Sequence, residues 1–227
     1  MKQRADSIRF RQSAAFDKKS NVTRARILDA AINVIAMHGP DKASIAEIAR
    51  VSGLANGTFY IYFKNKDDLI DQLGVSVTEA IVKSVHNPAL EHEDAARLVA
   101  RHIFCFLQIA GSEPNWIPLI VDVLGTTMKP LGNIEAGIRN DVHKGRTSNR
   151  FDVPECEEII SIILSLCRIG LERIRIGTEV RIVQQRIIEA GLRMLGISPM
   201  EAAIIAEETI SLQLWHNFEF PDVTSAR

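Results

Sequence analysis

Apolar residues recur along this chain with a helical period, and no stretch shows the alternating pattern of a half-buried strand between paired turn signals. Ile27, Ala31, Val34 and Ile35 fall at i, i+4, i+7 and i+8, one face of a first helix over 22–38. Gly39-Pro40 stops it. Ser44-Ile45-Ala46-Glu47 reads as a capping box opening a short helix over 44–51. Ser52-Gly53-Leu54 is a tight connection to a second short helix over 55–61. Asn65-Lys66-Asp67-Asp68 then begins a long helix to about residue 86, with acids where the helix dipole favours them. Further helices are expected over 91–110, 114–124, 131–146, 154–176, 179–195 and from about 198 to 215, which makes nine or ten in an all-α chain.

The spacing of Ala49, Gly53, Leu54 and Phe59 is that of a helix-turn-helix. Ala49 sits where two helices cross closely, and Gly53 supplies the positive φ of a sharp turn. Ile45, Ile48, Leu54 and Phe59 form a small shared core. In a DNA-binding unit of this kind the second helix lies in the major groove, although a plain αα-hairpin has the same apolar spacing.

Charge favours the first of these. The chain of 227 residues has a net charge of only −1. Residues 1–66, however, hold 12 Lys/Arg against 5 Asp/Glu, a balance of +7, and residues 67–227 hold 15 against 23, a balance of −8. One part attracts polyanions and the other repels them. The apolar share of 46% suffices for a sizeable core, and three unevenly spaced cysteines (Cys105, Cys156, Cys167) suit a reducing compartment rather than a disulfide framework. The polar, basic first 20 residues do not read as a secretory signal, and the most apolar run, 159–169, is too short to cross a bilayer. A cytoplasmic protein without membrane association is expected.

The continuation Gly57-Thr58-Phe59-Tyr60-Ile61-Tyr62-Phe63-Lys64-Asn65-Lys66-Asp67-Asp68-Leu69 closely resembles the signature of the tetracycline-repressor (TetR) family of bacterial transcription regulators. The resemblance extends by motif over residues 23–73. It implies an N-terminal three-helix DNA-binding head and a C-terminal helical body that binds a small ligand and dimerises. Boundaries follow: a flexible basic arm over 1–19, a helix-turn-helix domain over 20–66, a connecting helix over 67–88, and a ligand-binding and dimerisation domain over 89–227.

Side-chain chemistry suggests roles on the head. Asn56 can pair bidentately with adenine, Gly57 permits close backbone approach, and Ile61 suits a thymine methyl. Thr58, Tyr60 and Tyr62 offer hydroxyls to phosphates, Lys64 offers a charge, and Ser44 helps present backbone N–H groups. The family resemblance implies similar roles for Ser44, Gly57, Thr58, Tyr60 and Lys64. Tyr60 and Tyr62 can instead pack on the first helix. Arg24 and Arg26 are expected to reach DNA, and the distal arm either follows the minor groove or is a solvated tail. Ala55 stands where many family members carry Ser or Thr, which removes an N-cap at a cost of about 1 kcal/mol, and Asn56 stands where many are basic.

In the body, Ile159 to Leu171 is apolar nearly all round and must be covered on several sides. The resemblance implies a dimer formed as a four-helix bundle from 154–176 and 179–195 of each chain. Candidate ligand contacts are His102, Phe106, Trp116, Met128, Cys167 and Arg168, a largely apolar set with a few polar groups. Such residues at helical spacing are more often core, and His102 fits either role. No constellation for catalysis, metal or cofactor stands out, so the expectation is a non-enzyme. The expected function is a homodimeric repressor on a palindromic operator, its heads about 34–40 Å apart, released by a small apolar effector. The alternatives are an effector-independent architectural or division-control factor, and a helical ligand-binding protein without DNA binding.

Overall fold

The structure, a computed structural model, describes residues 19–85, 93–112, 114–125, 133–154 and 157–211. The basic arm, Met128, Cys156 and the far end of the last expected helix lie outside the described residues. Among the described residues there are ten α-helices and no strand. They are α1 (Lys19–His38), α2 (Ile45–Ser52), α3 (Asn56–Tyr62), α4 (Lys66–Val85) and α5 (Ala95–Ser112). These are followed by α6 (Ile117–Gly125), α7 (Asn133–Thr147), α8 (Glu157–Arg175), α9 (Val180–Met194) and α10 (Pro199–Ser211).

Local chemistry sets the ends. Asp94 caps α5, its Oδ1 accepting from the N–H groups of Ala96 (3.1 Å) and Arg97 (3.2 Å), so this helix starts later than the pattern suggested. Ser198 does the same for α10, where Pro199 takes the first position and needs no N–H partner. The expected helix over 114–124 opens instead as a 3-10 turn, Pro114–Trp116. Pro118 has no N–H to return to Pro114, so the α-ladder cannot begin there.

α5 lies at the centre of the body, packed against α4, α7, α8, α9 and α10. The head is α1 to α3, and it meets the body through α1, which packs on the 3-10 turn and on α6. One apolar core runs through both, from Ala25, Ile27 and Leu28 in the head to Ile205 and Ile210 in α10. No described helix is long and apolar enough to cross a membrane.

Arg150 closes the end of the body. Its guanidinium donates from Nε to Asp94 (2.6 Å) and from Nη2 to Glu201 (2.5 Å), joining the start of α5 to the start of α10. Beside it the chain folds back over α7, with the N–H groups of Arg150 and Phe151 both donating to the Gly145 carbonyl (2.7 and 3.0 Å). A Cβ at Gly145 would lie 1.9 Å from the buried Phe151 ring. Gly145→Ala is therefore expected to cost about 1–3 kcal/mol through overpacking. A circular-dichroism melt should show the midpoint falling by about 2–4 °C per kcal/mol.

Candidate nucleic-acid interface

The turn between α2 and α3 is built from backbone constraints. Gly53 adopts φ 68°, ψ 31°, and its N–H donates back into α2. Leu54 follows with its N–H on the Ala49 carbonyl at 3.0 Å, and Ala49 is buried in the crossing. At the other end of α2, Ser44 caps the helix by accepting the Glu47 N–H at 3.2 Å. The reciprocal half of the expected capping box is replaced: the Glu47 carboxylate faces His38 Nε2 at 3.3 Å and Arg50 at 3.6 Å. Arg50, one turn along α2, offers it a full charge and His38 a ring nitrogen, where a capping box would offer a lone N–H.

α3 is anchored by Phe59 and Phe63, each 1% exposed, with ring centroids 5.5 Å apart. Its other side is bare. Asn56 and Gly57 are exposed, Tyr60 is 55% exposed and Ile61 76%. Positions i, i+1, i+4 and i+5 share one helix face, so these four point together. A Cβ at Gly57 would meet nothing within 4 Å, so packing within the chain does not require glycine there. Ala55 makes no side-chain cap, as its methyl group dictates.

Thr58 is half-buried, and Tyr62 packs partly against the core, away from the Tyr60–Ile61 face. The chain's two tyrosines, both on this helix, thus have different surroundings. Lys64 is exposed just beyond the helix, and its N–H donates to Asp68 Oδ2 at 2.8 Å. Hydrogen bonds from Gln72 and from that N–H hold the Asp68 carboxyl below its ordinary range. Lys66, unmarked by the sequence reading, donates from Nζ to the carbonyls of Pro40 (3.1 Å) and Asp41 (2.9 Å), tying α4 to the α1–α2 loop. Arg24 and Arg26 are engaged inside the head: Arg24 binds Gln72, and Arg26 binds the Ser52 carbonyl.

The expected ligand contacts within the described residues lie in the body. Phe106, Trp116 and Cys167 are buried members of the common core, and Arg168 on α8 is half-exposed. His102 Nδ1 pairs with Asp141 Oδ2 at 2.5 Å, joining α5 to α7. Asp141 escapes sequence reading: it borders the apolar stripe Ile134, Ile138 and Val142 of α7, and periodicity alone does not tell a buried acid there from a solvated one. Gln184, buried on α9 and likewise unmarked in the sequence, donates to Gln108 Oε1 at 2.8 Å. Burial pushes the thiol of Cys105 up to about 11 and that of Cys167 up to about 12, so both stay protonated and unreactive at neutral pH.

Residues 27–73 match the family of bacterial regulatory proteins, tetR family. Over 91 residues, 38% of this chain, the sequence is 33% identical to the fatty acid metabolism regulator protein of Bacillus subtilis (strain 168). That match spans 45% of the relative, so the chain covers less than half of its length. The crystal structure of RolR in complex with the ligand resorcinol superposes with a TM-score of 0.64 at 21% identity, over 83% of this chain and 94% of that one. The transcriptional regulator FadR from Bacillus subtilis in complex with stearoyl-CoA gives 0.64 at 19% identity, over 76% and 98%. These two likenesses show a shared fold. The segment with the motif on α2 and α3 thus matches the tetR family of bacterial regulatory proteins, and the all-helical chain shares the fold of these two structures.

Proposed function

We propose that this protein is a sequence-specific DNA-binding transcription regulator, a homodimer that represses from a palindromic operator and is released by a small, largely apolar effector. The observation that carries the reading is the bare face of α3. A seven-residue helix holds Ile61 and Tyr60 in solvent while burying Phe59 and Phe63, and it places Asn56 and Gly57 beside the exposed pair. In this reading Asn56 and Ile61 meet base edges. Tyr60, Thr58, Lys64 and the α2 start at Ser44 meet phosphates, while Tyr62 supports the helix from behind.

The body, residues 89–227, serves pairing and sensing, and the connecting helix 67–88 links it to the head at 20–66. Ile162 and Ile169 on α8 and Ile176, one residue past its end, recur every seven residues and face solvent in the single chain, and Ile182 on α9 is exposed as well. This stripe is the pairing surface. The effector lies among α5, α7 and α8, which carry the His102–Asp141 pair as a polar anchor, the apolar Phe106 and Cys167, and Arg168. Fold relatives crystallised with resorcinol and with stearoyl-CoA fit an effector with a substantial apolar part. Such a molecule acts only through its different affinity for two head spacings.

A panel of single-base operator variants tests the division of labour on α3. Asn56→Ala is expected to lose about 1–3 kcal/mol on the cognate base and little elsewhere, relaxing preference at that position. Lys64→Ala should weaken every duplex alike and lower the salt slope by about 0.9 for each phosphate lost. Equal losses on all variants for Asn56→Ala contradict its base-reading role. DNA release by apolar metabolites separates this reading from an effector-independent factor.

A further inference from the structure

α1 reaches both ends of the recognition helix. Arg26 directs Nη2 at the carbonyl oxygens of Ser52 (2.7 Å) and Gly53 (3.4 Å), in the turn that leads into α3. Carbonyls at a helix C-terminus lack intrahelical donors, and the dipole there favours a cation. The guanidinium lies close against the turn, since a Cβ on Gly53 would sit 3.1 Å from Nη2.

Arg24 works at the opposite end. Its guanidinium lies over the ring of Phe63, the residue that closes α3, at 5.6 Å from the centroid. It also donates from Nη2 to Gln72 Oε1 at 2.7 Å, and Gln72 donates from Nε2 to Asp68 Oδ1 at 2.8 Å. The second Asp68 oxygen accepts the N–H of Lys64, two residues past the end of α3. Hydrogen bonds thus run from α1 through α4 to the exit of α3. Burial lowers the Arg24 pKa, and Asp68 opposes that shift.

We propose that Arg24 and Arg26 are positioning residues for DNA reading, which fix the two ends of the recognition helix against α1 and make no phosphate contact. The proposal rests on α3 being the DNA-reading helix. It replaces the direct contacts that their charge alone suggested with an internal frame. A frame sets the angle at which Asn56 and Ile61 enter the groove, so its loss weakens the match to one sequence. A phosphate contact, by contrast, serves all sequences equally.

Arg24→Met and Arg26→Met retain the apolar stem and remove charge and donors. Their affinities are measured across a salt series for two probes, the duplex that the wild-type chain enriches from a random-sequence pool and a scrambled duplex of equal length. The expected result is a drop of about tenfold or more on the enriched duplex, with scrambled-duplex affinity and the log–log salt slope unchanged. Losses on both duplexes together, with the slope smaller by about 0.9 per phosphate, overturn the proposal. Thermal melts confirm that each variant is folded. If a Met variant is not, Arg24→Lys and Arg26→Lys decide: a phosphate contact keeps both affinities, whereas loss of the frame lowers only the enriched duplex. A wild-type chain that enriches no duplex overturns the DNA-reading assignment and this proposal together. A wild-type chain that enriches one, with variants that lose salt slope, overturns the proposal alone.

Discussion

Ile169→Asp is expected to give a folded monomer whose operator affinity is at least about a hundredfold below that of the wild type. Ile169 lies on the solvent face of α8, midway in sequence between Ile162 and Ile176, and is 46% exposed in the single chain. Full burial of an isoleucine side chain contributes about 1.5–3 kcal/mol, and covering the exposed half of Ile169 about 0.7–1.4 kcal/mol. A twofold axis counts the change twice, so the dimer loses about 1.5–3 kcal/mol of apolar burial, and two enclosed carboxylates add about 2 kcal/mol or more. At about 1.4 kcal/mol per factor of ten, dimer affinity falls by about two orders of magnitude or more. The exposed position spares the monomer, because the buried side of α8 (Ile160, Ile163, Cys167, Leu171) is untouched. Sedimentation equilibrium checks the mass, and anisotropy on an operator duplex checks the affinity. A variant that remains a tight dimer places the pairing surface elsewhere.

Trp116→Ala is expected to cost about 3–5 kcal/mol of stability, the range for emptying a large buried aromatic site. Trp116 is 0% exposed and sits on the 3-10 turn that packs against α1 of the head and α5 of the body. Asn115, its neighbour, approaches Asn33 of α1 at 3.5 Å. The cavity therefore opens where the head is held to the body, so the head should loosen before the body does. Denaturant unfolding followed by hydrogen exchange on α1 and α5 checks both parts. If exchange in α1 is unchanged while stability falls, the ring supports the body alone.

The sequence made the head readable because its shape is enforced by backbone rules that one residue type satisfies at a time. A serine three residues before a glutamate, a small residue at the crossing and a glycine at the positive-φ turn leave few alternatives, and the structure has Ser44, Ala49 and Gly53 in those places. The bare face of α3 was legible for the same reason. Phe59 and Phe63 share one side, and Asn56, Gly57, Tyr60 and Ile61 are left on the outer one.

Arg24 and Arg26 were not legible in this way. Composition registers their charge, but whether a guanidinium meets a phosphate or a carbonyl depends on partners 26 to 48 residues away, at Ser52 and Gln72. Pairings that close across helices, His102 with Asp141 and Arg150 with Asp94 and Glu201, escape periodicity for the same reason. In the body, Phe106, Trp116 and Cys167 look alike as core and as ligand wall, because both demand apolar side chains at helical spacing. The late start of the helix after Pro114 depended on one missing N–H at Pro118, which an apolar pattern does not register.

The central claim is that two α3 helices read one duplex from adjacent turns of the same groove. Methylation protection of guanine N7 on the duplex enriched from a random pool, at known protein-to-DNA stoichiometry, tests it most directly. The account predicts two chains per duplex and two protected major-groove patches about one helical turn, ~34–36 Å, apart, with Asn56→Ala losing protection in both. One chain per duplex, or protection confined to a single patch that Asn56→Ala leaves intact, would contradict it.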